Sequence, residues 1–340
     1  MFRFCKRAVF IHEQWTVKVN LSLSLYSTSP VRLGILQKVN KKCERFLEQR
    51  FPRFSILHQT LMKGFRLLIE DVKEVSRIKR SMWMNQMHYR DLPYRDMKRL
   101  VLFRRDMIKA VPLLIISIPP FAIGFVFILM CLFPRQLLFR HFWTPQQQKR
   151  FQMIDQIKRC QCQTKILDSL VLMVPRVRES HQRNLLNLCS KVQDGKHPRV
   201  SEVHAVQDVF HKSSPLGLQC VEPRHLRLLG AQLSVMVWFP SFLVRRQLTT
   251  KALDLLYLDR ALQGLGLHQL TEEEMRQACD LRGLDTSQLT SSQCKEWLHQ
   301  WLELSTMVQE AEISLLLHSM TLLTLNYPPV TNLIWPEAAE

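Results

Sequence analysis

Asp106 is the acidic side chain best placed to couple to an ion or a proton. It stands beside Arg105 and one turn ahead of the stretch Ala110 to Pro134, which reads AVPLLIISIPPFAIGFVFILMCLFP. Those 25 residues contain no Asp, Glu, Lys, Arg, His, Asn or Gln. Cation–proton exchange needs an ionisable group or a polar lining inside the lipid. Here the one acid lies at the mouth, where it could equally cap a helix or pair with Arg105 or Lys109. Beyond the stretch, Arg135, Arg140, Lys149 and Arg150 could grip phosphates or anionic headgroups. Cys160-Gln-Cys162 has the wrong spacing for a zinc knuckle. The nine cysteines are odd in number, include no CxxC pair and suit a reducing compartment. The histidines are scattered, and His318 reads as a packed or solvated side chain. There is no nucleophile elbow, phosphate loop, HExxH or EF-hand loop. The residues therefore predict a non-enzyme with no metal, no cofactor and no small-molecule substrate.

The uncharged stretch sets the position of everything else. About 20 apolar residues rising 1.5 Å each cross a hydrocarbon core of ~30 Å. Ala110 to Pro134 is read as a membrane span. Pro112 falls in its first turn, where a missing N–H does no harm. Pro119 and Pro120, just before Phe121, fall mid-segment and each removes a helix donor. Two arms of about a dozen residues would be too short for a hairpin to cross. A single kinked span closing at Pro134 is expected.

The flanks are strongly basic. Residues 1–259 carry 43 basic and 18 acidic side chains, net +25, whereas residues 260–340 carry 4 and 11, net −7. A basic body suits anionic partners, either acidic lipid or RNA, or is simply a solvated surface beside a membrane. Residues 1–43 hold eight Lys or Arg against the single acid Glu13, and include SLSLYSTS. Basic, Ser-bearing and acid-poor is the character of a mitochondrial transit segment, assigned here to 1–40. Amphipathic helices should fill 41–109. The main one, Phe54 to Met87, carries Leu57, Leu61, Phe65, Leu68, Val72 and Val75 at helical spacing. Pro93 then opens a helix over 94–109 that runs into the span. After the span, Phe139, Phe142 and Trp143 beside Arg135, Arg140 and His141 fit an interface belt.

From Thr144-Pro145 onward the sequence predicts helices over 145–160, 163–174, 178–192, 201–211, 223–238 and 241–263. Breaks fall at Pro175, Asp194-Gly195, Pro215-Leu-Gly217, Pro240 and Gly264-Leu-Gly266. Thr271-Glu-Glu-Glu274 is a capping box, and Gly283 ends that helix in the left-handed conformation. A second helix from Ser291 pairs Trp297 with Trp301 at i,i+4 as core, and a third covers 308–325. No alternating strand pattern occurs, so the fold class is all-α: one transmembrane helix, a helical domain over 135–330 and a tail over 331–340.

Three stretches together resemble the LETM family, the leucine zipper/EF-hand transmembrane proteins of the mitochondrial inner membrane. LPYRDMKRLVLFRRDMIKAVPLLIISIPPF at 92–121 is similar to the family's entry to the membrane, with Asp106, Val111-Pro112 and Pro120-Phe121 in place. Phe133-Pro134 is similar to its exit. LTEEEMRQACDLRGLDTSQLTSSQCKEWLHQWLEL at 270–304, with ISLLLHSM after it, resembles its matrix domain through Ala278, Cys279, Arg282, Gly283, Gln300, Trp301 and Leu302. The match is best to the short branch, which ends soon after this domain and lacks long coiled coils and an EF-hand. The resemblance implies a helical, fourteen-three-three-like, ribosome-binding-like domain. It implies a membrane-tethered adaptor for the mitochondrial ribosome that supports mitochondrial structure and function, with cardiolipin and inner-membrane proteins as further partners. Cation (K⁺ or Ca²⁺)/proton exchange, proposed for long members, is the alternative. The acid those members carry after Pro-Phe is absent here, where Ile123 stands. A second alternative arises because 271–303 also resembles a SAP-type nucleic-acid module, although seven acids there face three basic residues. Charge counts within 20 residues of the span, seven Lys or Arg before and four after, would put the N-terminal side in the matrix. The resemblance puts the C-terminal domain there, and is given precedence.

Overall fold

The computed structural model describes residues 52–116, 143, 145–235 and 237–327. The chain divides into a unit of residues 1–64 and a unit of residues 65–340, and the second holds the packed core. The expected transit segment 1–40, the tail 331–340 and positions Pro119, Pro120, Phe121, Pro134, Arg135 and Arg140 lie outside the described residues. Among the described residues there are helices, turns and no strand.

The helices are α1 Pro52–Met84, α2 Tyr94–Ile116, α3 Pro145–Met173, α4 Glu179–Gln193 and α5 Val200–His204. They continue with α6 Pro223–Gln232, α7 Ser241–Leu265, α8 Glu272–Leu281, α9 Ser291–Met307 and α10 Ile313–Leu322. Among the described residues no helix is long and apolar enough to cross a membrane. Helix α2 carries Ala110 and Pro112 and stays helical to Ile116, so its regular structure enters the apolar stretch without a break.

Helix α3 is one helix of 29 residues where the sequence predicts two. Nothing between Cys160 and Gln163 breaks a helix, and its inward face is continuous through Gln163, Ile166, Leu167, Leu170 and Met173, each 4% exposed or less. Elsewhere the predicted helices are shortened. The 201–211 helix is α5 plus a 3₁₀ turn at Gln207–Phe210. The 223–238 helix ends at Gln232, because Ser234 turns to φ +52° and leaves the helical region. The 308–325 helix begins as a 3₁₀ turn, Glu310–Glu312, before α10.

The stops are where the glycines place them. Gly266 lies at φ +85° and Gly283 at φ +101°, conformations that cost a side-chain-bearing residue about 1–2 kcal/mol. The α8 capping box forms: the Glu274 N–H donates to Thr271 Oγ1 at 3.2 Å, and the Thr271 N–H donates to Glu274 Oε2 at 3.1 Å. A second box, which the sequence reading does not include, opens α9. There the Gln293 N–H donates to Thr290 Oγ1 at 3.3 Å and Gln293 Oε1 accepts from the Thr290 N–H at 2.9 Å.

Two helix pairs set the architecture. Helices α3 and α6 pack along their lengths. Ser169 meets His225 at one end and Arg159 reaches the Gln232 carbonyl at the other, so the pair is antiparallel. Helices α2 and α7 pack in the same sense: Tyr94 lies against Arg282, which binds Asp259, and Arg104 pairs with Asp254. The C-terminal helices α8 to α10 close the core. Trp297 and Trp301 are 2% and 0% exposed and stack with ring centroids 5.5 Å apart.

Candidate docking surface

Positive charge is distributed by the pairing of α2 with the acidic C-terminal end. Arg95 Nε donates to Glu274 Oε1 at 3.2 Å, and Arg90 pairs with Glu310, which also accepts from the Tyr257 hydroxyl at 2.9 Å. Lys98 Nζ donates to Gln277 Oε1 at 2.8 Å. Arg104 pairs with Asp254, and Arg99 with Glu74 of α1. Exposed pairs of this kind stabilise by only about 0–1 kcal/mol each. Their larger effect is on the field. Two acids of the acidic end, Glu274 and Glu310, are taken up in this way by Arg95 and Arg90.

Helix α3 carries a further set of cations. Lys149, Arg150, Lys158 and Lys165 are exposed on it. Lys158 and Lys165, seven residues apart, share one side of the helix and flank Cys162. Burial pushes the Cys162 thiol up, and the two ammonium groups oppose that shift. Arg224 and Arg227, a turn apart on neighbouring α6, are also exposed. Lys149 and Arg150 are contacts the sequence leads one to expect. Lys158, Lys165, Arg224 and Arg227 are additions from the structure, although their i,i+7 and i,i+3 spacings are readable in the sequence.

The inner side of α3 is committed to the fold. Arg159 Nη1 donates to the Asp280 carbonyl at 3.0 Å, joining α3 to the end of α8. Burial first of all pushes the Asp280 carboxyl up to about 6, and Arg159 and the Thr286 hydroxyl partly oppose it. Cys160 lines a cavity of about 220 Å³ with Asp285, Thr324 and Tyr327, while Cys162 faces the two lysines. The pair thus serves two different environments. The described cysteines are free thiols, with Cys189 and Cys279 both pushed up to about 12 by burial.

Two buried polar clusters are invisible to motif reading. Asp259 is 2% exposed and Arg282 is fully buried. Arg282 Nε donates to Asp259 Oδ1 at 2.8 Å, while Trp301 Nε1 and Ser305 Oγ donate to Oδ2 at 2.9 and 2.6 Å. The second cluster is His225 and His318, both fully buried, with their Nε2 atoms 2.8 Å apart. His318 Nδ1 lies 2.7 Å from the Ser314 carbonyl and must donate to it. Its Nε2 then accepts from His225 Nε2–H, and His225 Nδ1 accepts from the Ser169 hydroxyl at 2.9 Å. Both rings are neutral: burial pushes His225 down to about 3 and His318 down to about 4. His318 is a packed core histidine. Among the described residues no group of three or more His, Cys, Asp or Glu is placed to hold a metal ion.

Asp106 is 4% exposed and lies 3.8 Å from Arg105 Nε. The SAP-like unit keeps little of its basic character outward. Arg282 is buried, and Arg276 Nη1 donates to the carbonyls of Thr286 and Leu289 at 2.8 and 3.3 Å. Of the expected interface belt, Trp143 is described, packing edge-to-face on Phe151 at 4.9 Å.

A family model described as LETM1-like, RBD matches residues 92–322. The chain is 45% identical over 289 residues to LETM1 domain-containing protein 1 of Xenopus tropicalis, covering 85% of this chain and 82% of that one. It is 42% identical over 290 residues to the Homo sapiens protein of the same name, covering 85% and 80%. The matched region begins at α2 and ends at α10, so it takes in both helix pairs and the whole C-terminal core. By that extent and that identity, the chain belongs to the LETM1-like family.

Proposed function

We propose that this protein is a non-enzymatic adaptor of the mitochondrial inner membrane, tethered by 110–134, whose helical domain docks the mitochondrial ribosome from the matrix side. The observation that carries the reading is the unequal treatment of charge. The arginines of α2 are paired with carboxylates, whereas Lys149, Lys158 and Lys165 stand exposed along α3. Exposed cations along one helix are what contact with RNA phosphates requires. Family membership supports this class of partner. Arg135 and Arg140, which precede α3 in the sequence, would add to the same basic character, and cardiolipin headgroups would compete for them. Inner-membrane proteins are further partners in this reading.

Cation exchange through this chain alone finds less support. Asp106 lies beside Arg105, and the 25 residues after Lys109 contain no Asp, Glu, Lys, Arg or His. A SAP-like nucleic-acid role for 271–303 is likewise weakened, because Arg276 and Arg282 serve the fold.

The test is co-sedimentation of the full-length protein, in mild detergent, with purified mitochondrial ribosomes. Association should fall steeply between ~50 and ~200 mM salt, linearly in log–log form, as expected for counterion release. No co-sedimentation at low salt, with the helical content intact, would sink the ribosome reading.

A further inference from the structure

Trp238 is 76% exposed and Phe242 is 68% exposed, although the segment bearing them is tightly held from behind. Val237 packs over Gly230, where a Cβ would lie 3.1 Å from Val237 Cγ1 and 3.4 Å from Val244 Cγ1. Lys251 Nζ donates to the Leu233 carbonyl at 2.6 Å, and Arg159 Nε to the Gln232 carbonyl at 3.4 Å. Arg245 binds the carbonyls of Leu218 and Val221, fixing the first turn of α7. Phe239 packs on the core and lies against Trp238, with ring centroids 4.3 Å apart. The chain therefore builds a fixed turn whose outer side is aromatic.

Two independent pairings fix which end of the domain carries that turn. In the antiparallel α3–α6 pair, Ser169 lies opposite His225 and Arg159 opposite Gln232. The chain leaving α6 is thus directed toward Pro145, the end of α3 nearest the apolar stretch in sequence. In the antiparallel α2–α7 pair, Arg104 meets Asp254, and Ala110 and Phe242 both lie beyond that pairing in the same direction. Ala110 lies 6 residues beyond Arg104, about 9 Å, and Phe242 lies 12 residues before Asp254, about 18 Å, at 1.5 Å per residue. The aromatic turn and the start of the apolar stretch therefore lie toward the same end of the domain. Exposed Arg246, one turn after Phe242, and exposed Lys149 and Arg150 on α3 belong to the same end.

We propose that the Trp238–Phe242 turn is a second membrane contact, resting in the headgroup interface of the anionic bilayer beside the point where α2 enters it. The inference rests on the membrane-anchored reading of 110–134 and adds a surface to it. An exposed Trp with an exposed Phe four residues on suits the boundary between headgroups and acyl chains, and flanking cations suit anionic lipid. With one helix as the only attachment, the domain could swivel. A second point of contact would fix its rotation, and so fix which way the basic side of α3 faces.

The experiment uses the full-length protein labelled with 5-fluorotryptophan, reconstituted in phosphatidylcholine vesicles containing cardiolipin. Trp238→Phe identifies the Trp238 fluorine resonance. A headgroup nitroxide lipid should broaden that resonance beyond detection, and a water-soluble gadolinium chelate should leave it in place. The buried Trp301 resonance should survive both. Loss of the Trp238 signal to gadolinium, with no effect of the nitroxide lipid, would overturn the proposal and return the turn to a protein-docking surface. Carbonate washing of the same vesicles reads the anchor separately. Extraction of the protein would overturn the span, and the lipid contact would then stand or fall on the nitroxide effect alone.

Discussion

Trp297 and Trp301 share the i,i+4 spacing of Trp238 and Phe242, yet the first pair is 2% and 0% exposed and the second 76% and 68%. Spacing alone does not decide burial. Around the first pair the helix face continues through Cys294, Leu298 and Ser305, and α7 presents Asp259 to receive the Trp301 N–H. Around the second, the inward side of α7 is made by Val244 and Leu248. Phe242 precedes Val244 by two residues, about 200° around the helix, so burying one side exposes the other. A helix commits the side with the longer apolar run, and an aromatic left on the far side needs another use.

The largest expected effects fall on the buried pair. Asp259→Ala would strand the Arg282 guanidinium in the core, a loss of about 3–5 kcal/mol. Trp301→Ala should cost a similar ~3–5 kcal/mol through the cavity it leaves. Urea unfolding of the detergent-solubilised protein checks both. Trp238→Ala, by contrast, should move stability by no more than ~0.5 kcal/mol. If the two Trp variants cost the same, the difference between the pairs is wrong.

The histidine pair gives a smaller, pH-dependent effect. Both rings titrate below the ordinary value of 6.5, at about 3 and about 4 in the folded chain. A base whose folded pKa is lowered takes up its proton more readily when unfolded. Stability is therefore undiminished above pH 6.5 and falls as pH drops from there toward about 4, with about two protons taken up on unfolding. His225→Gln should flatten that dependence, as measured by unfolding at a series of pH values.

Asp280 has the opposite sign and a smaller effect. Its carboxyl is raised from 3.8 to about 6, so burial of its charge destabilises the fold above pH 6, and that penalty disappears as pH falls through the window. Asp280→Asn should raise stability at pH 7.5 by about 1 kcal/mol and have no effect below pH 4. A destabilised variant at pH 7.5 would mean that the Thr286 bond outweighs the burial.

Much of this is legible in the chain. Helix identity after Pro145, the Thr271 box, the left-handed glycines and the Trp stripe are local signals, read from a few neighbouring residues. Asp259 is not legible as a buried acid, because its partners come from α8 and α9, 23 to 46 residues away. A clue is present: Asp259 sits on the apolar side of α7, between Leu255 and Leu262, where an unpaired charge would be costly. His225 and His318 are 93 residues apart and no spacing rule joins them. The candidate docking residues are legible only in part. Arg135 and Arg140 stand out as neighbours of the apolar stretch. Lys158 and Lys165 matter because α3 continues through Cys160–Gln163, where the residue pattern predicts the end of one helix and the start of another.

The central claim, that the exposed side of α3 docks the ribosome, predicts a change in binding with almost none in stability. Lys158→Glu together with Lys165→Glu should leave urea unfolding within ~0.5 kcal/mol of the parent. Co-sedimentation of that variant with mitochondrial ribosomes across a salt series is the direct measurement. The account predicts weaker association and a log–log salt slope shallower by about two, one for each lost phosphate contact. Unchanged affinity and slope in a folded variant would contradict it.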